Sequence, residues 1–281
     1  MAVVFAFACA VVYGVGDYCG GRASRTAPSL YVTFIVQVSS LALAALAVAI
    51  SSTAFPDAHD VAWSVVAGFA SALALACFYT ALSRGAMTVV APTTAVTSAV
   101  IPVVVGLAEG ERPSGLAYFG MVLAVVAVAL VSGAIGQRHI ATRASTIGLA
   151  FVAGLGFALI FIAFDRTGSD SGLWPLLISR SVSIALVASV AVMRRGTLSE
   201  HRSAWKLPAL AGVLDMSANL LYLLAIRRGL LSVVVVVAAL YPVSTVLLAF
   251  GLDRERVSRS QAVGMVLAIG ALVLVSVSGA A

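Results

Sequence analysis

Charge is scarce in this chain: Asp, Glu, Lys and Arg make up 10% of its 281 residues, far too few to cover the surface of a soluble protein of that length. A mean hydropathy of +1.10 leaves little room for a water-facing domain. Cysteine is equally sparse. Cys9, Cys19 and Cys77 all lie inside apolar runs, where a thiol behaves as a small hydrophobe, so they supply neither a disulfide frame nor a metal site and say nothing of redox compartment. The histidines, His59, His139 and His201, fall between apolar runs and read as solvated. HExxH, Walker and Cys/His metal spacings are all missing, so nothing supports metalloenzyme chemistry, ATP hydrolysis or a cofactor. A basic leading segment is missing too. The first apolar run therefore reads as a retained span and not a cleaved signal peptide, and whether Met1 is the true start stays open.

What is abundant is apolar surface, with 62% of residues hydrophobic. A bilayer core of about 30 Å takes about 20 such residues per helix, and the runs break where charge, Pro and Gly cluster. Ten spans are expected, near 2–21, 28–50, 61–83, 87–107, 114–134, 145–164, 173–193, 206–226, 230–250 and 260–279. The fold class is thus all-α and polytopic. The net charge of +6 lies mostly in the connections and reads as anchoring to lipid headgroups, not as nucleic-acid binding.

Residues 68–132 align with 212–276 without a gap, and 20 of the 65 positions are identical. Most of these are Ala, Val or Leu, which this composition yields by chance. Gly68/Gly212, Arg84/Arg228, Gly85/Gly229, Glu111/Glu255, Arg112/Arg256, Ser114/Ser258, Gly120/Gly264, Met121/Met265 and Ser132/Ser276 are not so easily dismissed. They divide the chain into two repeats, 1–136 and 144–281. Five spans per repeat is an odd number, so the second half must sit upside down relative to the first, an arrangement that places a binding site near the midplane. The short connections Ser83-Arg84-Gly85 and Arg227-Arg228-Gly229 suit left-handed glycine caps, and Ser114 and Ser258 suit N-caps of the helices that follow.

Taken with the repeat, the order of Tyr13-Gly14, Gly16-Asp17-Tyr18-Cys19-Gly20-Gly21, Ala81-Leu82-Ser83-Arg84-Gly85-Ala86-Met87, Val89-Val90-Ala91-Pro92 and Gly110-Glu111-Arg112 resembles the EamA type of the drug/metabolite transporter superfamily over essentially the whole chain. The resemblance implies secondary transport of a small metabolite or drug, commonly efflux, in a bacterial plasma membrane. Where many relatives carry Trp and a second-span Arg, this chain has Tyr13 and Gln37, while the matching Arg stands in the second half as Arg180. A substrate rule built on two symmetric arginines does not carry over.

Orientation has two open readings. The resemblance implies a cytoplasmic N-terminus. That side would then carry only Arg112, Arg166, Arg227 and Arg228, and the opposite side twelve of the 17 cations, so the positive-inside bias favours both termini outside.

Ionisable groups inside spans are costly and mark function by default. Three qualify: Asp17, Arg180 and Asp215. Asp215 continues into Asn219 and Tyr222 as one polar helix face. It either locks Arg180 in a buried pair or meets a solute or a coupling proton. Arg180, among Ser179, Ser181 and Ser183, either recognises a carboxylate bidentately or holds Asp215. Asp17 lies a turn after Tyr13, either in a cavity or salt-bridged to Arg22 or Arg25; Asp165 and Arg166 look interfacial. Pro92 and Pro102 are expected to break the fourth span and Pro242 the ninth. Thr93, Thr94, Thr97 and Ser98 beside the first pair, and Tyr241, Ser244 and Thr245 beside the other, either re-satisfy the backbone or line a path. Phe157, Phe161, Tyr79 and Trp174 are candidate walls.

Two other classes fit the sequence less well. Gly14-Val15-Gly16-Asp17 matches the GxGD string of intramembrane aspartyl proteases, but there the partner Asp comes earlier, and no earlier acid exists here. A channel or structural subunit fits poorly with polar residues placed unequally between matching halves: Asp215 aligns with Ser71, Asn219 with Leu75 and, with one gap, Arg180 with Gln37. The expected partners are a small solute, membrane lipids and protons as coupling ion. The expected binding set is Asp215, Asn219, Tyr222, Arg180, Asp17, Tyr13, Gln37, Thr97 and Tyr241.

Overall fold

Backbone amides in hydrocarbon find no water, so an apolar span satisfies them within itself by coiling into a helix. A computed structural model describes residues 1–51, 53–85, 87–131, 143–193, 204–252 and 258–278, and among these there is no strand. The helices are α1 (Ala2–Ser24), α2 (Ser29–Ile50), α3 (Ala58–Arg84), α4 (Met87–Ala108), α5 (Gly115–Val131), α6 (Ala144–Asp165), α7 (Trp174–Met193), α8 (Lys206–Ile226), α9 (Leu231–Ala238), α10 (Tyr241–Leu252) and α11 (Arg259–Ser278), with a 3-10 turn at Ser169–Ser171. Over its described residues each expected span falls on helix, the ninth on two helices separated by a turn. Seven segments are long and apolar enough to cross a bilayer, counting α9 and α10 as one, and α4, α5 and α11 contain shorter apolar helices. Arg138, His139, Arg194, Arg195, His201, Arg202 and the Arg254–Val257 connection lie outside the described residues.

The prolines act differently from expectation in one half. α4 runs unbroken through Pro92 and Pro102. Polar side chains along it bond backbone carbonyls, Thr97 to Thr93 at 2.8 Å and Ser98 to Ala95 at 3.0 Å on α4 itself, and Thr94 to Ala150 of α6 at 3.1 Å, which suits a helix that must absorb proline without water. The ninth span does divide. α9 ends at Ala238, and Pro242 sits in the first turn of α10, where its missing N–H leaves no intrahelical bond unmade.

Small residues are frequent inside, beside buried rings such as Phe78, Tyr79, Phe164 and Tyr222. Buried positions are rich in alanine, such as Ala6, Ala67, Ala74, Ala150, Ala153, Ala211 and Ala218, whereas Phe69, Phe119, Val122, Val266 and Ile269 face outward. Membrane helices gain no hydrophobic drive from packing together, so small residues that let backbones approach carry the association. Gly68 and Gly212 mark two such crossings. A Cβ at Gly68 would stand 2.6 Å from Val182 Cβ and 2.7 Å from the Ser179 carbonyl, and one at Gly212 would collide with Ser39 and the Val36 carbonyl. The packing exchanges between halves in the same way. α1 lies against α8 as α6 does against α3, α2 against α8 as α7 against α3, and α5 pairs with α11.

The end of the bundle bearing the N-terminus is tied by polar contacts. The Glu111 carboxylate accepts the backbone N–H groups of Leu231 (2.6 Å) and Ser232 (3.0 Å), capping α9 from the α4–α5 turn. Asp60 accepts Gly168 N–H at 3.0 Å, Arg227 donates to the Gly168 carbonyl and to Ser171, and Arg166 pairs with Glu109 over the Trp63 ring. Ser114 and Ser258 cap the helices after them as expected, through Ala117 N–H and Gln261 N–H. Gly85 and Gly229 do not adopt the expected left-handed cap. Gly85 is extended, and a Cβ on either would press on Thr146 or Ala2, so close approach is what these sites require; Gly110, at φ 98°, is the left-handed turn after α4.

Two stability tests follow from this packing. Glu111→Ala leaves two amides at the start of α9 uncapped and should cost about 1 kcal/mol. Gly68→Val forces α3 away from α7 and should cost about 1–3 kcal/mol or more. Thermal unfolding of the purified protein in detergent reads both, and an unchanged midpoint in Gly68→Val would contradict the crossing described.

Candidate functional site

Arg180 reaches from the middle of α7 into the interior, where its side chain is 4% exposed. Nη2 stands 2.7 Å from Asp215 Oδ2 of α8. Nη1 donates to Gln37 Oε1 of α2 at 3.1 Å and to Ser71 Oγ of α3 at 2.8 Å. Gln37 in turn donates to Ser183 on α7. Ser40, one turn along α2, donates to the Gly212 carbonyl (2.8 Å) and to Asp215 Oδ2 (3.2 Å). One cation and one anion, with an amide and three hydroxyls, thus form a closed polar belt where α2, α3, α7 and α8 cross. A buried pair persists only when further hydrogen bonds serve its remaining lone pairs and protons, and the belt supplies them.

Beside the belt lies a small cavity lined by Tyr13 and Asp17 of α1, Ser98 of α4, Phe157 and Phe161 of α6, Asp215 of α8 and Tyr241 of α10. Its open centre measures about 20 Å³, room for a water molecule or two. Tyr241 donates its hydroxyl to the Ala91 carbonyl at 3.0 Å, and its ring lies 6.4 Å from that of Tyr13. Thr245, one turn on, donates to the Gly14 carbonyl at 3.1 Å, joining α10 to α1. Asp17 has no hydrogen bond or ion pair among the described residues, to Arg22, Arg25 or any other.

The residues named from sequence separate into three groups. Asp17, Tyr13, Asp215 and Tyr241 line the cavity. Arg180 and Gln37 belong to the belt behind it. Asn219, Tyr222 and Thr97 line neither. Asn219 donates to the Asp215 backbone carbonyl (2.8 Å), Tyr222 is fully buried with its hydroxyl on the Phe161 carbonyl (3.1 Å) and its ring 4.6 Å from Phe161, and Thr97 bonds its own helix. The Asp215-Asn219-Tyr222 face is real, but it is consumed in packing beyond Asp215. Of the four candidate wall aromatics, Phe157 and Phe161 line the cavity. Tyr79 packs by Phe78 and Gly20, and Trp174 donates to the Thr53 carbonyl at the bundle end. Ser40 was not singled out; its only signal was polarity one turn from Gln37.

The GxGD string meets a geometric objection. A proton-sharing aspartyl dyad needs two carboxyls free to face each other, whereas Asp215 is held by Arg180 and Ser40.

If the belt is a clamp, single and double changes behave unequally. Arg180→Gln leaves Asp215 unpaired in hydrocarbon and should cost about 3–5 kcal/mol, while Arg180→Gln with Asp215→Asn should recover most of it. Thermal unfolding measures both; a double variant no better than the worse single one would contradict the clamp.

The model of the EamA-like transporter family matches residues 1–133 and 144–277, one match to each half. No curated protein matches significantly. Among 29 solved chains that match, one, a crystal structure of a protein, is similar over 98% of both chains with a TM-score of 0.71 at 15% identity, a likeness of fold. With both halves matched, the chain belongs to the EamA-like transporter family and is a multi-pass membrane transporter of the drug/metabolite type.

Proposed function

We propose that this protein is a secondary transporter that moves a small metabolite or drug, in the efflux direction, across a bacterial plasma membrane by alternating access. The observation that carries the reading is the cavity itself: α1 and α4 of the first half and α6, α8 and α10 of the second each contribute a wall residue at mid-span. A midplane site between two inverted five-helix repeats, 1–136 and 144–281, is how such carriers expose one solute to either side in turn. The separate family matches to each half and the exchanged packing of α1 on α8 and α6 on α3 support the two repeats.

In this reading the belt is the fixed part and the aromatic walls are the moving part. Arg180, Asp215, Gln37, Ser40, Ser71 and Ser183 hold the crossing of four helices between the halves, a fixed point about which the walls part. Tyr241 sits where the ninth span is already divided, and a divided span bends without breaking hydrogen bonds that water cannot replace. Uphill movement draws on an ion gradient, with protons as the coupling ion.

Counterflow in proteoliposomes tests this. Amino acids, nucleobases and cationic drugs, with and without an imposed pH gradient, form the panel. Saturable exchange of at least one solute, accelerated by the gradient, is the expected outcome. Flux that rises linearly with concentration would point to a channel, and saturable exchange indifferent to the gradient to a facilitator.

A further inference from the structure

Two acids line the cavity, and they are not alike. Asp215 is neutralised by Arg180 at 2.7 Å and accepts the hydroxyl of Ser40, so the belt carries no net charge. Asp17 has no partner among the described residues, although Gly16 beside it packs closely enough on α8 that a Cβ there would lie 3.6 Å from the Asp215 amide. The cavity therefore carries one uncompensated carboxyl, in a medium where a bare charge costs several kcal/mol.

We infer that the cavity binds a small organic monocation, an alkyl- or arylammonium, with Asp17 as its counter-ion and Tyr13, Phe157, Phe161 and Tyr241 as an aromatic surround. This rests on the reading of the cavity as the transport site and names its solute class. An aromatic surround attracts a weakly hydrated cation through the ring quadrupoles. A hard metal ion needs about six oxygen ligands, and this wall offers one free carboxyl and the hydroxyls of Tyr13, Ser98 and Tyr241, Asp215 being occupied. An anion would find no free cation here, because the guanidinium that could attract it is saturated by Asp215, Gln37 and Ser71. The open centre of about 20 Å³ admits water but not a substituted ammonium, so the cation enters as the walls part, and the division between α9 and α10 next to Tyr241 is the nearest joint.

The test titrates purified full-length protein in lipid nanodiscs by calorimetry. The probes are methylammonium, phenethylammonium and tetraethylammonium, with 2-phenylethanol and phenylacetate as the neutral and anionic counterparts of the second. At least one cation should bind saturably, and about tenfold or more tighter than the alcohol or the anion. Asp17→Asn should lower cation affinity about tenfold or more while leaving the weak binding of the alcohol in place, a pattern that misfolding, which removes both, does not give. Asp17→Glu should keep the cation preference. Unchanged cation affinity in Asp17→Asn, tighter binding of phenylacetate than of phenethylammonium, or no binding by any of the three cations would overturn the inference. Counterflow separates this from the broader reading. Saturable exchange of neutral or anionic solutes with none of the cations overturns the cation site and leaves a carrier, whereas cation binding in nanodiscs without saturable exchange of any solute upholds the site and removes the carrier.

Discussion

A guanidinium in hydrocarbon has no water to turn to, and most of the interior of this protein is arranged around that fact. Arg180 draws Asp215 from α8, Gln37 from α2 and Ser71 from α3 to one point, and these three have no better partner themselves. Elsewhere the bundle avoids the problem: Thr33, Ser39, Ser64, Ser179 and Ser217 each return their hydroxyl to a carbonyl of their own helix. Packing between helices is then left to alanine and glycine, which hold surfaces together without fixing register strongly. The belt supplies the register. A buried pair is weak evidence for net stability and better evidence for specificity, and here it specifies how two halves that pack through featureless surfaces are to meet.

The two halves contribute to that point from matching places. Gln37 and Arg180 occupy corresponding positions of α2 and α7, Ser40 and Ser183 follow one turn later, and Ser71 and Asp215 correspond on α3 and α8. Each member of the first half bonds across to the second. What symmetry would duplicate, two like charges in one low-dielectric spot, the chain avoids by making one partner ionic and the other neutral in the Gln37/Arg180 and Ser71/Asp215 pairs. Like charges there would repel strongly, so the asymmetry is what lets an interior crossing hold ions at all.

Helix positions were legible from sequence because in a bilayer length and polarity are set by one physical dimension, and connections such as Ser83–Gly85 carry nearly all the punctuation. The division of the ninth span was legible at Pro242, but the same rule failed at Pro92 and Pro102, where the helix continues through both positions. The belt was half legible: Asp215 and Arg180 stood out as charges in apolar runs, and Gln37 through its alignment with Arg180. Ser40 could not be found, since one serine among many in apolar helices gives no sign of its partner. Asn219 and Tyr222 show the limit of helical periodicity, which tells that residues share a face but not what lies opposite. The cap made by Glu111 could not be found, because its partners are backbone amides of residues 231 and 232, which have no signature in side-chain chemistry.

That cap on α9 has a mechanical consequence. Eight residues of helix make a rod of about 12 Å, fastened at one end by Glu111 to the α4–α5 turn and ending at the other just before Tyr241. α10 is pinned separately, by Thr245 to Gly14 of α1. The ninth span is therefore a jointed lever with its fulcrum at the cavity wall. The surface turn that bears Glu111 and the cavity wall at Tyr241 are thus joined by one short helix that bypasses the belt.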